Sequence, residues 1–537
     1  MKPDTKERAR QRLDTARDRL RSPKESIFKR IARLLTHRLL LTAILILVQI
    51  AVLLVMIIVC GRYFVLFYGF CIVLSILVVL YILNKRGHPD YKIAWMLIIL
   101  PFPIFGGLLY LVLGGSWVSN RSLKRMERLE ILRHSILSGD EEAVQGFVSQ
   151  HPDAANQMRY IYATSSCPPY VNTETEYLPI GEVYYERMVE ELKKAKHYIF
   201  LQYFIIKEGE MWNTVLSILE EKAAQGVDVR VIYDDIGCLF TLPKRYSREL
   251  EARGIACAVF NPFRPVASLR LNNRDHRKLC IVDGTVGFTG GINLSDEYIN
   301  QRERFGHWKD TGILLRGQAV WSLTAMFLSC WDYTKNIEEN LENYRPDPSV
   351  FGGFQTDGIV QPYNSNPGNE SVGAAVYMNL ISRAKRYLYI TTPYLVIDDA
   401  MTNALCTAAL SGVDVRIITP HIPDKRYVFM LTQAHYIPLL EAGVKIYEYT
   451  PGFIHSKTFA VDDEFGVVGT VNLDYRSFYL HYEDGVWMYK SSAVAAIRDD
   501  FLATQALSQP VLLEDATRMS WLKRFGLSLL RVIAPLM

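Results

Sequence analysis

Two stretches of this chain repeat one pattern, H-x-K-x4-D-x6-G-[GT]-x-N. The first copy is His276, Lys278, Asp283, Gly290, Gly291 and Asn293, and the second is His455, Lys457, Asp462, Gly469, Thr470 and Asn472. A single H-x-K is common by chance and decorates many surfaces. Two full copies, brought together, supply two imidazoles, two ammoniums and two carboxamides, a set that suits a phosphodiester. Lys and Asn side chains donate to the non-bridging oxygens and stabilise the added charge of a five-coordinate transition state. One imidazole can attack phosphorus and form a covalent phospho-histidine. The other can protonate the departing alcohol and deprotonate the incoming one. An imidazole titrates near neutral pH and suits either part. No metal or cofactor is called for: lysine is not a usual ligand, and H-E-x-x-H or carboxylate-rich spacing is missing.

The elements that must position these groups follow from the local pattern. Leu279–Val282 and Thr458–Val461 are apolar runs and read as buried strands, on which residues two apart share a face. His276 and Lys278 should therefore point together, as should His455 and Lys457. Asp283-Gly284 and Asp462-Asp463 make turns, and a second short strand leads to each Asn. The duplication extends well beyond the motif. Gly226-Val227-Asp228-Val229-Arg230 recurs letter for letter as Gly412-Val413-Asp414-Val415-Arg416, and Ala195-Lys196-His197-Tyr198 is echoed by Ala384-Lys385-Arg386-Tyr387. Such internal repetition is an organisational fact of first rank. Each half alternates helix patterns (183–194, 214–224 in the first) with strand patterns (198–206, 228–234). That alternation predicts an α/β fold with helix-covered sheets.

Composition sets the outer limits. The chain has 537 residues and a formal charge of +4, so it is not a polybasic nucleic-acid binder overall. The charge is unevenly placed. Residues 1–38 are crowded with Arg and Lys, and an uncharged run, Leu39 to Cys60, follows at once. A basic stretch beside an apolar one marks the cytoplasmic flank of a membrane span. Tyr63 to Leu83 is a second uncharged run, and each is about the ~20 residues that a spanning helix needs. Lys85, Arg86 and Lys92 place the return on the cytoplasmic side. A third apolar run, Ile93 to Gly115, is interrupted by Pro101, Pro103, Gly106 and Gly107, which disfavours a straight helix. It is expected to re-enter or lie in the interface, with the catalytic region cytoplasmic. Near the C-terminus, Trp521, Leu522, Phe525, Leu529, Val532 and Ile533 recur at helical spacing, with Lys523, Arg524 and Arg531 among them. The pattern fits an amphipathic interfacial helix or a last helix packed on the domain. The eight cysteines are scattered without a C-x-x-C pair, which argues against a zinc site or a dense disulfide framework.

The paired motifs resemble those of the phospholipase D superfamily over roughly residues 177–510. The flanking features extend the likeness: two N-terminal hydrophobic segments, LPFPIFGGLLYLVLGG, GHWKDTGILLRG (Gly306–Gly317), GTVNLDYRSFYLHYEDGVWMY (Gly469–Tyr489) and a basic amphipathic tail. Together they look like bacterial cardiolipin synthases, which join two phosphatidylglycerols into cardiolipin and release glycerol. The resemblance implies two pseudo-two-fold related phospholipase D-type α/β sandwich repeats after N-terminal transmembrane helices. It implies ping-pong transfer through a phosphatidyl-histidine, with His276 as nucleophile and His455 as general acid/base. Asn293, Asn472, Lys278 and Lys457 would bind the phosphate, no cofactor would be needed, and phosphatidylglycerol, cardiolipin and the bilayer would be the partners. Asp283 and Asp462 complete the two catalytic sets, in which they read as structural more than proton-handling. Glu297 and Glu483 are candidates to orient an imidazole, with a surface salt bridge as the plain alternative. Two departures stand out: Gln202, where many relatives carry Glu, and His481, where Asn is frequent.

The expected division is a basic cytoplasmic segment (1–38), a membrane anchor (39–115), a helical linker (116–176), two repeats (177–345 and 346–510) and an amphipathic tail (511–537). Competing readings are another phosphatidyltransferase or lipid hydrolase with the same groups, a nuclease, and a catalytically dead membrane scaffold. A nuclease lacks support, since non-specific DNA affinity rests on clustered Lys and Arg and the catalytic part is near neutral. A dead scaffold would have lost a catalytic His or Lys, and all four are present. A homo-oligomer is compatible with all of this, and head-group selectivity is not written in the motifs.

Overall fold

A computed structural model describes residues 63–102 and 141–536, apart from short stretches at 86, 263–272, 352, 355–357, 368–370 and 519, with scattered positions in 44–58 and 106–137. The chain divides into two compact units, Met1–Gly115 and Ser116–Met537.

In the first unit, the expected span at 63–83 is a continuous helix, Phe64–Asn84. Its stretch Val65–Asn84 is long and apolar enough to cross a membrane, the one such helix among the described residues. The basic segment 1–38 and most of the run 39–60 lie outside the described residues. The third apolar run does not continue as one straight helix. Helix Pro89–Ile99 opens with Pro89 in its first turn and the His88 side chain accepting from Asp90 N at 3.4 Å, and it stops just before Pro101. The chain then doubles back. A Cβ on Gly106 would lie 2.6 Å from the Ile99 Cα, and the Trp95 and Tyr110 rings meet edge to face at 5.2 Å.

The second unit contains both repeats. Its strands, in chain order, are β1 (Thr173–Leu178), β2 (Tyr198–Tyr203), β3 (Asp228–Asp234), β4 (Ala256–Phe260), β5 (Arg274–Asp275), β6 (Leu279–Val282), β7 (Val286–Gly290), β8 (His307–Lys309), β9 (Gly312–Gly317), β10 (Ile359–Ser365), β11 (Tyr387–Thr391), β12 (Leu395–Val396), β13 (Asp414–Pro420), β14 (Lys445–Tyr449), β15 (Gly452–Ile454), β16 (Thr458–Val461), β17 (Phe465–Gly469), β18 (Leu473–Asp474), β19 (His481–Tyr489) and β20 (Ser508–Pro510). One sheet runs β1-β9-β7-β6-β2-β3-β4, and the other β10-β19-β17-β16-β11-β13-β14-β20. The two orders match strand for strand up to β20, which adds an edge to the second sheet. The first repeat opens at Thr173, ahead of the expected boundary at 177, because β1 pairs along its whole length with β9. The second expected strand pattern (198–206) is shorter in the fold and stops at Tyr203.

The repeated pentapeptide has a local explanation. Gly226 (φ +87°) and Gly412 (φ +94°) end a helix in the left-handed region, where a side chain is strained. The following Val-Asp-Val-Arg starts β3 and β13. On those strands Asp228 and Asp414 pair with Arg230 and Arg416 at 2.8 and 2.6 Å.

The sheets are layered between helices. Helices Gly181–Lys194 and Glu210–Ala224 cover the outer face of the first. Helices Val372–Arg383, Asp399–Leu410 and Arg426–Glu441 cover the outer face of the second. Both inner faces pack on a shared middle layer, helices Val320–Lys335 and Ser492–Ala506. Helix Val320–Lys335 is buried nearly all round, as a helix between two sheets must be.

The repeats also exchange short strands, which the sequence did not announce. β5, just before His276, pairs in parallel with β19 of the second repeat. β15, just before His455, pairs in parallel with β8 of the first.

Candidate active site

Each motif histidine is set by the opposite repeat. The His276 backbone N–H donates to Tyr482 O at 2.9 Å, and that of His455 to Lys309 O at 2.7 Å. One residue further along each of those partner strands stands a buried carboxylate. His276 Nδ1 meets Glu483 Oε2 at 2.9 Å and Oε1 at 3.1 Å. His455 Nδ1 meets Asp310 Oδ2 at 2.6 Å. A carboxylate can only accept, so each ring carries its proton on Nδ1 and keeps Nε2 for chemistry. Both rings are more than nine-tenths buried.

Lys278 and Lys457 are fully buried beside them. Each ammonium turns back to the carbonyl of its own motif histidine: Lys278 Nζ donates to His276 O at 2.5 Å, and Lys457 Nζ to His455 O. Lys457 Nζ also lies 2.9 Å from His455 Nδ1. Burial pulls both lysines down, Lys278 to about 7 and Lys457 to about 8, against the attraction of Glu483 and Asp310. The two imidazoles and the two ammoniums influence one another across the repeats. Burial first, then Lys278, Lys457 and His455, hold His276 well below its ordinary value. Burial and Lys457 lower His455 to about 4, with Asp310 opposing them.

Asn293 and Asn472 are buried at the same end of the sheets. Asn293 accepts from Ile205 N at 3.0 Å and donates to Tyr298 Oη at 2.7 Å. Asn472 Oδ1 is buried without a partner. The walls differ. Tyr298, Trp308 and Phe453 surround His455 at ring distances of 5.6–5.7 Å. His276 has Phe204 at 5.2 Å and His481 at 5.5 Å.

Asp283 and Asp462 stand apart from this group. A strand of four residues separates each from its lysine, about 16 Å of extended chain. Asp283 accepts from the backbone N–H groups of Lys196, His197 and Tyr198 at 2.7–2.9 Å. Asp462 accepts from those of Lys385, Arg386 and Tyr387 at 2.7–2.8 Å. Both aspartates sit at positive φ in a turn and anchor the start of β2 and β11. Their place among the catalytic residues is therefore corrected: they brace the sheets that carry the site.

Glu483 occupies its expected position, but Glu297 does not. Glu297 accepts from Lys207 Nζ at 2.9 and 3.1 Å and from Ser295 Oγ, and it faces no imidazole. The carboxylate that holds His455 is Asp310, which sequence reading missed. A signal was available, because GHWKDTGILLRG and LHYEDGVWMY align on Gly312 and Gly485, which sets Asp310 opposite Glu483. The glycine pair of the first motif serves this carboxylate. A Cβ on Gly291 would fall 2.0 Å from Asp310 Oδ1. The longer Glu483 leaves room for Thr470, whose Oγ1 donates to Asp484 O at 3.1 Å.

Gln202 donates to Asp275. Asp275 also holds Arg277 at 2.8 Å, so a second carboxylate at position 202 would face Asp275 directly. Among the described residues, His276, His481 and Glu483 form the one group whose ligand atoms lie within 4.8 Å of one another. Glu483 already engages His276 there, so an ion would compete with the contact that orients the ring.

Residues 188–312 and 377–504 match the family described as cardiolipin synthase, PLD-like domain, and residues 73–115 match a phospholipase D-nuclease N-terminal family. A cardiolipin synthase of Geobacillus kaustophilus is 35% identical over 472 residues, covering 87% of this chain and 92% of that protein. The chain belongs to the cardiolipin synthase family of phospholipase D-type proteins. An uncharacterized protein of Streptococcus mutans is 43% identical, covering 81% of this chain and 94% of its own length. Among solved structures, phosphatidylserine synthase of Haemophilus influenzae aligns with a TM-score of 0.53 at 16% identity, over 68% of this chain and 95% of that one. That likeness supports the phospholipase D-type α/β fold and nothing finer.

Proposed function

We propose that this protein is a phosphatidyltransferase that joins two phosphatidylglycerols into cardiolipin and releases glycerol. The observation that carries the proposal is the reciprocal pair of imidazoles, each fixed by a carboxylate of the other repeat, with two buried lysines beside them. His276 Nε2 attacks phosphorus, and the phosphorus–oxygen bond to glycerol breaks. The departing alkoxide takes the Nε2 proton of His455. The hydroxyl of a second phosphatidylglycerol then gives its proton to His455 and displaces His276 from phosphorus. Glu483 stabilises the positive charge that the His276 ring carries while phosphorylated.

The surroundings support this division of roles. Burial lowers both rings, and Asp310 at 2.6 Å from His455 is closer than Glu483 at 2.9 Å from His276, which favours the charged form of His455. A bound phosphodiester anion raises both rings. Lys278, Lys457, Asn293 and Asn472 supply donors for the non-bridging oxygens. The anchor is read as two spans, 39–60 and 63–83, in the cell membrane, with the apolar run 93–115 re-entrant and the catalytic unit on the cytoplasmic side.

The test is product analysis. Full-length protein reconstituted with phosphatidylglycerol should yield equal amounts of cardiolipin and glycerol, and competing serine or water should capture little of the phosphatidyl group. Predominant phosphatidylserine or phosphatidic acid would overturn the assignment.

A further inference from the structure

The catalytic groups lie beyond the carboxyl ends of the parallel strands, at the site where open α/β sheets bind ligands. Phe204, directly after β2, packs on His276 at 5.2 Å, and Asp234, at the end of β3, accepts from Asp275 N at 3.1 Å. The chain leaving β3 returns over this end. A Cβ on Gly237 would lie 2.0 Å from Phe204 O, and Thr241 Oγ1 donates to Ile206 O at 2.7 Å. At the tip of that loop Leu239 is exposed and Phe240 is 88% exposed. Lys244 and Arg245 follow, both exposed.

The second repeat places the same kind of loop at the same end. After β13 come exposed Ile422 and Lys425 and, opening helix Arg426–Glu441, exposed Arg426 and Tyr427. Asp424 within the loop is turned inward to Tyr394 Oη at 2.7 Å and lies 3.9 Å from Lys425 Nζ. Both loops therefore carry an apolar pair beside a cationic pair, related by the pseudo-two-fold axis. Helix Trp521–Ile533 lies next to this end. Leu530 and the following Ala534 pack with Val428, Leu431, Val396 and Tyr475, the last of which follows Asn472 by three residues. The helix exposes Trp521, Phe525 and Leu529 at four-residue spacing, which is one face of a helix.

We infer that the loops at 239–245 and 422–427, with the exposed face of the C-terminal helix, dock the catalytic mouth onto an anionic lipid bilayer. This rests on the reading of the site as one that takes a phospholipid. Isolated exposed Leu or Phe residues are ordinary. Two apolar loop tips, each beside a cationic pair, and the exposed apolar face of the helix complement a surface of acyl chains under anionic headgroups. A lipid then reaches the buried histidines without crossing water, because its headgroup enters while its chains stay in the bilayer. The turns at the other end of the same strands, Gln225-Gly226 and Ser411-Gly412, lie about 20 Å away along the seven-residue strands and should remain in water.

Fluorophores attached through Phe240→Cys, Tyr427→Cys, Gln225→Cys and Ser411→Cys, with the signal of the unsubstituted chain subtracted, distinguish the two ends. The full chain is placed in vesicles of brominated phosphatidylcholine containing phosphatidylglycerol. Labels at 240 and 427 should be quenched several-fold more than those at 225 and 411, and the contrast should grow with the phosphatidylglycerol fraction. Equal quenching at all four, or stronger quenching at 225 and 411, would overturn the docking face whatever product the enzyme makes. As a second measure, Phe240→Asp with Tyr427→Asp should raise KM for vesicle phosphatidylglycerol about tenfold and leave turnover of a monomeric short-chain analogue unchanged. Equal losses on both substrates would contradict a docking role.

Discussion

The two repeats share a strand order and a motif, yet the surroundings of their histidines differ. His455 sits among three aromatic rings and is held by the short side chain of Asp310. His276 sits between Phe204 and a second imidazole, His481, and is held by the longer Glu483. The first motif accordingly needs Gly291 to clear Asp310, whereas the second admits Thr470. Duplication supplies two like groups, and the proposed division between nucleophile and acid rests on the divergence around them.

The largest expected effects test that division. His276→Ala and His455→Ala should each lower transfer by about 10⁴-fold or more, since one removes the nucleophile and the other the acid and base. Next, Glu483→Gln and Asp310→Asn should each cost about 10²-fold in kcat by removing the charge that fixes the tautomer and stabilises the cationic ring. With a substrate whose leaving alcohol is acidic, the Asp310 variant should recover its first-turnover release of that alcohol, and the Glu483 variant should not. Equal rescue of both would erase the proposed difference between the repeats. Gly291→Thr should behave like a weakened Asp310→Asn, because the new side chain meets the carboxylate.

The pH dependence is the third test. In the proposed mechanism Lys278 and Lys457 act as ammoniums, and burial lowers them to about 7 and about 8 in the free enzyme. As pH rises through that window they lose protons and their attraction for phosphate, so kcat/KM should fall on its alkaline side from about pH 7 to 8. Bound phosphodiester raises both lysines, so kcat should fall at higher pH than kcat/KM does. Coincident limbs would mean that the lysines do not touch the phosphate. Smallest in catalysis is Asp283→Asn. It removes charge-assisted acceptance from three backbone N–H groups and should cost about 2 kcal/mol of stability, seen in denaturant unfolding, while kcat stays within a few-fold.

Much of this was legible in the sequence because it was written twice. The motif positions, the α/β alternation and the helix patterns at 183–194 and 214–224 all follow from local pattern, although the helices begin earlier, at Gly181 and Glu210. The break in the apolar run near Pro101 follows from backbone chemistry. The missed features are non-local. Asp310 lies 145 positions before the ring it holds, and only alignment of the two halves through Gly312 and Gly485 points to it. The exchange of β5 and β15 between the sheets leaves no local trace, since each is three residues or fewer. Glu297 misled because proximity in sequence to a motif is weak evidence of proximity in space, and Lys207 had the stronger claim on its charge.

The central claim is that both rings serve a single phosphorus, with His276 bonding to it. A phosphatidyl ester of p-nitrophenol tests this most directly, because nitrophenolate leaves without a proton. His455→Ala should release one equivalent of nitrophenol in a burst and then stall, with mass spectrometry locating the phosphatidyl adduct on His276. An adduct on another residue, or steady turnover without any adduct, would contradict the account.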